Sequence, residues 1–179
     1  MRVIGGLYRG RRLLSPPRGK EIRPTSDRAK EALFNILQTK IIGYDFLDLF
    51  AGTGNVGIEA LSRGARVVFV DGDPVSAGLI QDNLKLLSAN ARVVKSDALT
   101  YIETSAKDAF DYIFIDPPYN PEGRRELLSA VFESGVLREG GLVISENAAS
   151  YALPESDGYE IADIRKYGVN CLTFVKAKK

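Results

Sequence analysis

Short apolar runs alternate with helical segments from Asp45 onward, and this alternation restricts the possible folds more than any other feature of the sequence. The strand-like runs are FLDLF, RVVFVD, RVVKSD, YIFID and GLVISEN, and helices are predicted between them at about 56–63, 74–87 and 99–106 and over GRRELLSAVFES. Strands separated by helices are typical of a parallel sheet that is covered on both faces. We therefore predict an α/β fold.

The two ends of the chain depart from this pattern. YEIADIRKYGVNCLTFVKA contains two strand-like runs with no helix between them, which predicts a C-terminal antiparallel hairpin turning near Lys166-Tyr167-Gly168. RVIGGLYRGRRLLSP fits a small N-terminal hairpin, and a Pro/Gly-rich connector leads from it to an amphipathic helix with Thr25 or Ser26 as N-cap. We expect an arm and connector over residues 1–24 and one domain over residues 25–179.

Residue types that the chain lacks exclude several classes of function. It contains no His and a single Cys, Cys171, so an internal disulfide, a Cys/His metal site and a His-based triad are excluded, and no metal site is predicted. No cleavable signal peptide and no apolar run of membrane-spanning length is visible. Together with the scarcity of Cys, this predicts a cytoplasmic protein without a membrane partner.

Positive charge is concentrated at the N-terminus. Residues 1–30 hold nine Lys and Arg against two acids, whereas residues 31–179 hold fifteen against twenty-one, so a net charge of +1 is the sum of +7 and −6. Such asymmetry indicates a basic arm that binds a polyanion, although a solvated terminus would show the same charge run. We predict that Arg9, Arg11 and Arg12 contact the phosphates of a nucleic acid.

A glycine-rich turn follows the first strand of the alternating region. In DLFAGTGNVGIEAL, Gly52, Gly54 and Gly57 have the G-x-G-x-x-G spacing, which lets the backbone turn tightly and approach a ligand at a helix N-terminus. Asp71 ends the next strand, nineteen residues after Gly52, where an acid binds ribose hydroxyls in such folds. This spacing alone fits a dinucleotide, another adenosine-containing cofactor or a turn without a ligand.

Acidic residues end four successive strands, and this pattern favours one kind of cofactor. Because the ligand crevice of an open parallel sheet lies at the carboxyl ends of its strands, Asp48, Asp71, Asp97 and Asp116 are expected to converge on one rim. An acidic crevice suits a cofactor with an amine and a positive charge better than it suits a pyrophosphate. An NAD-dependent oxidoreductase is the rival hypothesis, but the sequence offers no hydride-transfer site.

Through DLFAGTG, VFVDGD, KSDA and DPPY, the chain resembles the class I S-adenosylmethionine-dependent methyltransferases. With RVIGGLYRGRRL, RPTSDRAKEALFNIL, GNVGIEALSRGA and RKYGVNCLTF included, it is similar to the bacterial methyltransferases that modify guanine N2 in the 16S RNA of the small ribosomal subunit. The resemblance covers nearly the whole chain. It implies a Rossmann-like fold with a mostly parallel seven-stranded sheet, helices on both faces, and S-adenosyl-L-methionine as cofactor.

The resemblance also assigns a role to individual residues. It places Asp48, Gly52 and Gly54 at the methionine part of the cofactor, Asp71 at the ribose and Asp97 at the adenine amine. Asp71 stands where the family often has the longer Glu. The complete set that the resemblance implies for cofactor binding is Arg23, Thr25, Asp48, Phe50, Gly52, Gly54, Asp71, Gly72, Asp97 and Ala98.

The DPPY segment, Asp116, Pro117, Pro118 and Tyr119, is the predicted catalytic loop. An exocyclic nucleobase amine is a poor nucleophile because its lone pair is delocalised into the ring. The Asp116 carboxylate and the backbone carbonyls of Asp116 and Pro117 can accept hydrogen bonds from the amine and direct its nitrogen at a methyl donor. Proline stiffens the loop, and Tyr119 can stack on an extruded base.

The motif itself leaves the target base open, because DPPY is also similar to the loop of adenine-N6 methyltransferases. Guanine rests on the whole-chain resemblance. A non-catalytic RNA-binding assembly factor would share the basic arm and is a further alternative. Since the chain is too short for a large target-recognition domain, we expect it to act on small-subunit ribosomal RNA in a folded or protein-bound state, such as a ribosomal particle. We also expect a monomer.

Overall fold

Strands and helices alternate along the chain as the sequence predicts, in a computed structural model that describes residues 1–16, 25–117, 121–154 and 156–178. The helices are α1 (Asp27–Leu37), α2 (Asn55–Ser62), α3 (Pro74–Leu86), α4 (Ala98–Thr104) and α5 (Pro121–Ser134), with a 3₁₀ turn at Gln38–Ile41. The strands are β1 (Asp45–Leu49), β2 (Arg66–Asp71), β3 (Arg92–Lys95), β4 (Phe110–Ile115), β5 (Leu137–Ala148), β6 (Tyr159–Tyr167) and β7 (Asn170–Ala177). The predicted boundary between residues 24 and 25 falls at the edge of a segment, 17–24, that lies outside the described residues.

Among the described residues, seven strands form one sheet in the order β3-β2-β1-β4-β5-β7-β6. Strands β1 to β5 pair in parallel, and β7 runs antiparallel to both β5 and β6. The predicted mostly parallel, seven-stranded sheet with a C-terminal antiparallel hairpin is confirmed. The chain adds β2 and β3 on one side of β1 and then β4 and β5 on the other, so the strand order reverses between β1 and β4. Ligand crevices of open α/β sheets lie at such a reversal.

Local sequence explains where the helices begin. Ser26 is the N-cap of α1, and its side chain accepts a hydrogen bond from the N–H of Ala29. Asp73 caps α3, with Pro74 at the first helical position, where a missing N–H has no cost. The observed bounds of α2 and α3 differ by one residue from those that periodicity predicts, whereas α4 ends two residues earlier, at Thr104.

Successive residues of the central strands pack on opposite faces of the sheet. Along β1, Phe46 belongs to a core that includes apolar residues of α1, α2 and α3, whereas Leu47 belongs to a second core with residues of α4 and α5. This alternation follows from the two-residue period of a strand and gives a three-layer α/β/α arrangement. In the described part of the chain, no helix has both the length and the apolar character that crossing a membrane requires.

The N-terminal arm, residues 1–16, is docked on the domain. A backbone bridge joins Arg2 to Arg12, and the side chains of Val3 and Leu13 are buried in the first core. The carboxylate of Glu59 on α2 accepts hydrogen bonds from the N–H groups of Ile4 and Gly5 at 2.7 and 2.8 Å. The arm is therefore a small closed turn held by side chains of the domain.

Lys30 connects the arm to the interior. Its ammonium is fully buried, donates to the Arg2 carbonyl and to Asn55 Oδ1 at 2.7 Å each, and lies 3.6 Å from Glu59 Oε2. Burial lowers the pKa of Lys30, and the nearby Glu59 opposes that shift. Asn55 in turn donates to the Thr25 carbonyl at 3.0 Å.

Candidate active site

A crevice of about 520 Å³ opens at the carboxyl ends of β1, β2, β4 and β5, at the reversal of strand order. We divide it into a β1–β2 half and a β4–β5 half. The β1–β2 half is lined by Asp48, Gly52, Asp71 and Asp73, and the β4–β5 half by Asp116, Pro117, Arg124, Glu146 and Asn147. A smaller cavity of about 220 Å³ adjoins the β1–β2 half, with Phe50 and Asp71 in common and with Gly72, Asp97 and Ala98 in its wall.

The glycine turn between β1 and α2 requires an unusual backbone. Phe50, Gly52 and Gly54 all have positive φ, at 60°, 55° and 74°. Such angles cost glycine little, but they strain Phe50, whose ring lines both cavities. Gly57 is needed for a different reason, because a Cβ there would lie 2.3 Å from a ring carbon of Phe69 and 2.8 Å from Asp48 Oδ2.

Asp48 is buried beneath this turn. Its Oδ2 accepts a hydrogen bond of 2.8 Å from the N–H of Gly57 in the first turns of α2. Burial raises the pKa of Asp48 well above its usual range, the Gly57 hydrogen bond opposes this, and the charges of Asp71 and Asp116 add to it. The carboxyl group therefore lies in a place that disfavours its ionised form and favours a cationic ligand beside it.

Asp71 and Asp97 also bond to backbone N–H groups. The two oxygens of Asp71 accept from Gly52 and Asp73, each at 2.8 Å, so this carboxylate fixes the glycine turn to the end of β2. Asp97 is exposed and caps α4 by accepting from the N–H of Thr100 at 3.1 Å. Of the four predicted acids, Asp48, Asp71 and Asp116 line the crevice, and Asp97 lies in the adjoining cavity.

The predicted catalytic loop is described only at its start. Asp116 and Pro117 follow β4 and line the β4–β5 half of the crevice. Pro118 and Tyr119 lie outside the described residues, as does Arg23 of the predicted cofactor set. Thr25 is buried and lines the crevice. The three arginines of the arm, Arg9, Arg11 and Arg12, are exposed, and the guanidinium of Arg11 donates to the Leu86 carbonyl at 2.9 Å.

Sequence analysis missed Arg124, which organises the β4–β5 half. This buried guanidinium on α5 donates to Ser145 Oγ at 2.7 Å, to the Glu146 carbonyl at 2.6 Å and to Asn147 Oδ1. It also reaches the Pro117 carbonyl at 3.5 Å. Burial lowers the pKa of Arg124, and the charge of Asp116 opposes this most strongly.

Three further residues of this half come from β5 and β7, the next two strands beyond β4 in the sheet. Asn147 donates to Thr173 Oγ1 at 3.0 Å, and Asn170 donates to Glu146 Oε1 at 2.9 Å. Glu146 and Asn147 end the strand run GLVISEN, so the strand-end rule that selects the four acids also points to them. Asn170 begins β7, and because β7 is antiparallel to β5, its first residue reaches the same rim. No comparable signal marks Arg124.

The charges around the crevice limit what it can hold. Carboxylates of Asp48, Asp71, Asp73, Asp116 and Glu146 line it, and Arg124 is the one Lys or Arg among its described lining residues. A pyrophosphate would meet a repulsive potential here, whereas a ligand with an ammonium or sulfonium group would be attracted. The lining therefore fits a cationic ligand in the β1–β2 half and, in the β4–β5 half, a ligand that donates hydrogen bonds to the carboxylates there.

Comparisons with known proteins agree with this chemistry. The family model described as Conserved hypothetical protein 95 matches residues 1–176. YlbH of Bacillus subtilis, provisionally named an rRNA methyltransferase, is 38% identical over 99% of this chain and 100% of its own. Ribosomal RNA small subunit methyltransferase D of Escherichia coli K12 is 37% identical over 86% of this chain and 78% of its own. The solved structure of Escherichia coli yhhF, provisionally described as a methyltransferase, superposes with a TM-score of 0.86 at 31% identity, covering 99% and 98% of the two chains.

Proposed function

This chain belongs to the family described as Conserved hypothetical protein 95, a family of S-adenosylmethionine-dependent methyltransferases, and we propose that it methylates the exocyclic N2 of a guanine in small-subunit ribosomal RNA. The observation that carries the proposal is a single crevice with two chemistries. Asp116 and the Pro117 carbonyl stand in one half of the crevice, and the carboxylates of Asp48 and Asp71 stand in the other.

The β1–β2 half has the residues to hold S-adenosylmethionine. When bound, this cofactor supplies an electrophilic methyl group on a sulfonium. Asp48 offers a buried carboxylate to the cationic part of the cofactor, and Asp71 lies at the end of β2, where a ribose is bound in such folds. Phe50, Gly72, Asp97 and Ala98 enclose the smaller cavity, which suits the adenine.

The β4–β5 half acts on the amine. Asp116 accepts a hydrogen bond from one N–H and the Pro117 carbonyl accepts from the other, which directs the nitrogen lone pair toward the β1–β2 half. Arg124 supports this arrangement because its guanidinium contacts the Pro117 carbonyl and balances the charge of Asp116. Tyr119, two residues beyond Pro117, is placed by the sequence to stack on the base.

The reaction needs no strong base to remove the proton of the amine. When the N–CH₃ bond forms and the S–CH₃ bond breaks, the amine nitrogen carries a positive charge and becomes strongly acidic, so it releases a proton to Asp116 or to water. The absence of His from the sequence is therefore compatible with the reaction. Catalysis consists mainly of positioning and of electrostatic stabilisation around the amine.

Relatives named as ribosomal RNA methyltransferases support RNA as the acceptor, and the arm supplies a candidate contact. Arg9, Arg11 and Arg12 are exposed on a turn whose backbone is fixed to α2 by Glu59. Arginines held at fixed positions lose less freedom on binding phosphates than those of a mobile tail. The small size of the domain leaves part of the selection to the shape of the RNA or particle.

The test is to map the methyl group. Purified protein and labelled S-adenosylmethionine are incubated with naked small-subunit RNA and with small-subunit particles from a strain that lacks the gene, and the RNA is digested for mass spectrometry. The proposal expects N2-methylguanosine at one position in wild type and none with Asp116→Ala. N6-methyladenosine would favour the adenine alternative, and cofactor binding without transfer to either substrate would favour a non-catalytic assembly factor.

A further inference from the structure

Glu146 has an unusual hydrogen-bonding state. Its side chain is buried at the carboxyl end of β5, with 4% of the residue exposed, and it lines the crevice beside Asp116 and Pro117. Oε1 accepts a hydrogen bond from Asn170. Among the described residues, Oε2 is the buried side-chain oxygen or nitrogen atom that has no hydrogen-bond partner. Buried polar atoms are nearly always paired, so this oxygen indicates a ligand that donates to it.

The cation nearby does not satisfy this oxygen. Arg124 directs its hydrogen bonds to the backbone carbonyl of Glu146, to Ser145 and to Asn147, and none of its described bonds goes to the Glu146 carboxylate. Its charge still compensates the acid at short range, since Glu146 is among the groups that act on the pKa of Arg124. Glu146 therefore lines the crevice beside a cation that leaves its Oε2 without a hydrogen bond.

The position of Glu146 indicates which atom of the ligand would donate a hydrogen bond to Oε2. In the parallel pairing of β4 and β5, Ile115 is opposite Ser145, so the residues that follow, Asp116 and Glu146, lie side by side on the rim. Neighbouring strands are about 4.8 Å apart. If Asp116 binds the exocyclic amine of a base, Glu146 is placed to meet a ring atom next to the amine-bearing carbon. In adenine the ring nitrogen at that carbon is N1, and in guanine the two are N1 and N3, of which N1 alone carries a hydrogen that the unpaired oxygen could accept.

Guanine and adenine differ at that atom. Guanine N1 carries a hydrogen and is a donor, whereas adenine N1 carries a lone pair and is an acceptor. An ionised carboxylate only accepts hydrogen bonds. Resting on the proposed function, we propose that Glu146 Oε2 accepts a hydrogen bond from guanine N1–H, and that Glu146 thereby selects guanine and rejects bases with a lone pair at N1.

The expected discrimination is large because both sides of the contact matter. With guanine, the buried oxygen gains its missing partner. With a lone pair at N1, the oxygen stays unpaired and faces a second acceptor. Sites built to bind a substrate N–H reject analogues that lack it by as much as about 10⁴-fold. Asp116 and the Pro117 carbonyl are assigned to the amine, and stacking does not depend on a hydrogen at N1, so the motif cannot make this distinction and Glu146 supplies it.

The test compares guanine with 2-aminopurine, which keeps the reactive C2 amine but has a lone pair at N1. Small-subunit particles are reconstituted with RNA that carries either base at the mapped position, and kcat/KM is measured for wild type and for Glu146→Gln. Gln can donate as well as accept. We expect wild type to prefer guanine by about 10²-fold or more, and Glu146→Gln to reduce this preference at least tenfold. Loss of O6 in 2-aminopurine affects both enzymes and cancels in the ratio of preferences.

Glu139→Gln is the matched control, because Glu139 is exposed on the same strand at the opposite end, and its preference should equal that of wild type. An unchanged preference in Glu146→Gln would overturn the inference and leave guanine methylation standing. Equal rates on the two bases in wild type would also overturn it, without any variant that has to fold. If wild type methylates no guanine at all, the proposed function itself fails, and the inference fails with it.

Discussion

In the β1–β2 half of the crevice the carboxylates accept hydrogen bonds from backbone N–H groups, whereas in the β4–β5 half polar side chains bond mainly to one another and to Arg124. Asp48 bonds to Gly57, and Asp71 bonds to Gly52 and Asp73. In the β4–β5 half, Arg124 bonds to Ser145 and Asn147. Backbone partners come with the fold itself, so the first half is fixed by the course of the chain and the second by the identities of its side chains.

This difference suits the two ligands that we assign to the halves. S-adenosylmethionine is the same molecule in every enzyme that uses it, and a frame of strand ends and a glycine turn can hold it with little dependence on other residues. An acceptor base differs from one enzyme to another. A side-chain network can be altered by single substitutions without disturbing the sheet, so the β4–β5 half is where we expect specificity to reside.

The largest expected effect separates the two halves directly. Asp116→Ala should lower the single-turnover rate of methyl transfer by about 10²-fold or more, the scale of losing one preorganised polar contact, while S-adenosylmethionine affinity is kept. Asp71→Ala should weaken cofactor binding more than it lowers the single-turnover rate, because the glycine turn loses its hydrogen bond at Gly52. Calorimetric titration and rapid-quench kinetics measure the two quantities. If Asp116→Ala abolished cofactor binding and left the rate at saturation unchanged, the division into halves would be wrong.

Removing the fork of hydrogen bonds from Arg124 tests whether side chains hold the β4–β5 half. Arg124→Lys keeps the charge, but one ammonium cannot reach Ser145, Asn147 and the Glu146 carbonyl together. We expect the free energy of unfolding to fall by about 1.5–3 kcal/mol, the scale of hydrogen bonds to a charged group. Urea denaturation measures this change.

Arg125→Lys is the control for this substitution, since Arg125 is the exposed neighbour on the same helix and should change stability little. Cofactor affinity should be near that of wild type in both variants. If Arg124→Lys weakened cofactor binding by as large a factor as it lowered the rate of methyl transfer, the two halves of the crevice would not be independent.

The same distinction explains what the sequence could predict. The sheet, its hairpin and the glycine turn follow from local patterns, and the bond between Asp48 and Gly57 joins residues only nine positions apart. In the β4–β5 half, Arg124 contacts residues 21 to 23 positions away, and Glu146 contacts Asn170 24 positions away. No spacing rule connects such pairs, because strand order and helix placement must be known before they meet.

The buried pair of Lys30 and Glu59 was hidden for a related reason. In the sequence each is a charged residue of an amphipathic helix, where the solvent face is the usual place for charge. In the structure both side chains are fully buried, and Glu59 binds the N–H groups of the arm. The docked arm supplies several of their partners, namely the Arg2 carbonyl and the N–H groups of Ile4 and Gly5, and helical periodicity alone could not find these.

The arm extends the comparison to electrostatics outside the crevice. Replacing Arg9, Arg11 and Arg12 by Ala should weaken binding to small-subunit particles and flatten the dependence of log affinity on log salt by up to about 3 units, or about one for each phosphate that is no longer neutralised. Cofactor affinity should stay near that of wild type, because the carboxylates of the β1–β2 half lie on the sheet. Filter binding across a salt series gives the slope. Replacing the exposed Lys85, Arg92 and Lys95 by Ala is the matched control and should leave the slope unchanged. Equal slopes for the arm variant and wild type would contradict the prediction that the arm contacts phosphates.

The smallest expected effect concerns Asp48, where holding a cation conflicts with stability. Burial raises its pKa in the folded state above 3.8, its value in the unfolded chain, so the folded protein binds the extra proton between these two values. Wild type therefore loses stability as pH rises through that window, and Asp48→Asn does not, since its amide oxygen can still accept from Gly57. Above the window the variant should be more stable by on the order of 1 kcal/mol, yet bind S-adenosylmethionine more weakly. Urea denaturation from about pH 4 to about pH 8 should show this gap, the difference in unfolding free energy between Asp48→Asn and wild type, growing as the pH rises. The control Asp157→Asn, at an exposed position, should have nearly the unfolding free energy of wild type at each pH. A gap that closed with rising pH would mean that Asp48 is stabilised by its charge, and that the β1–β2 half compensates it before any cofactor binds.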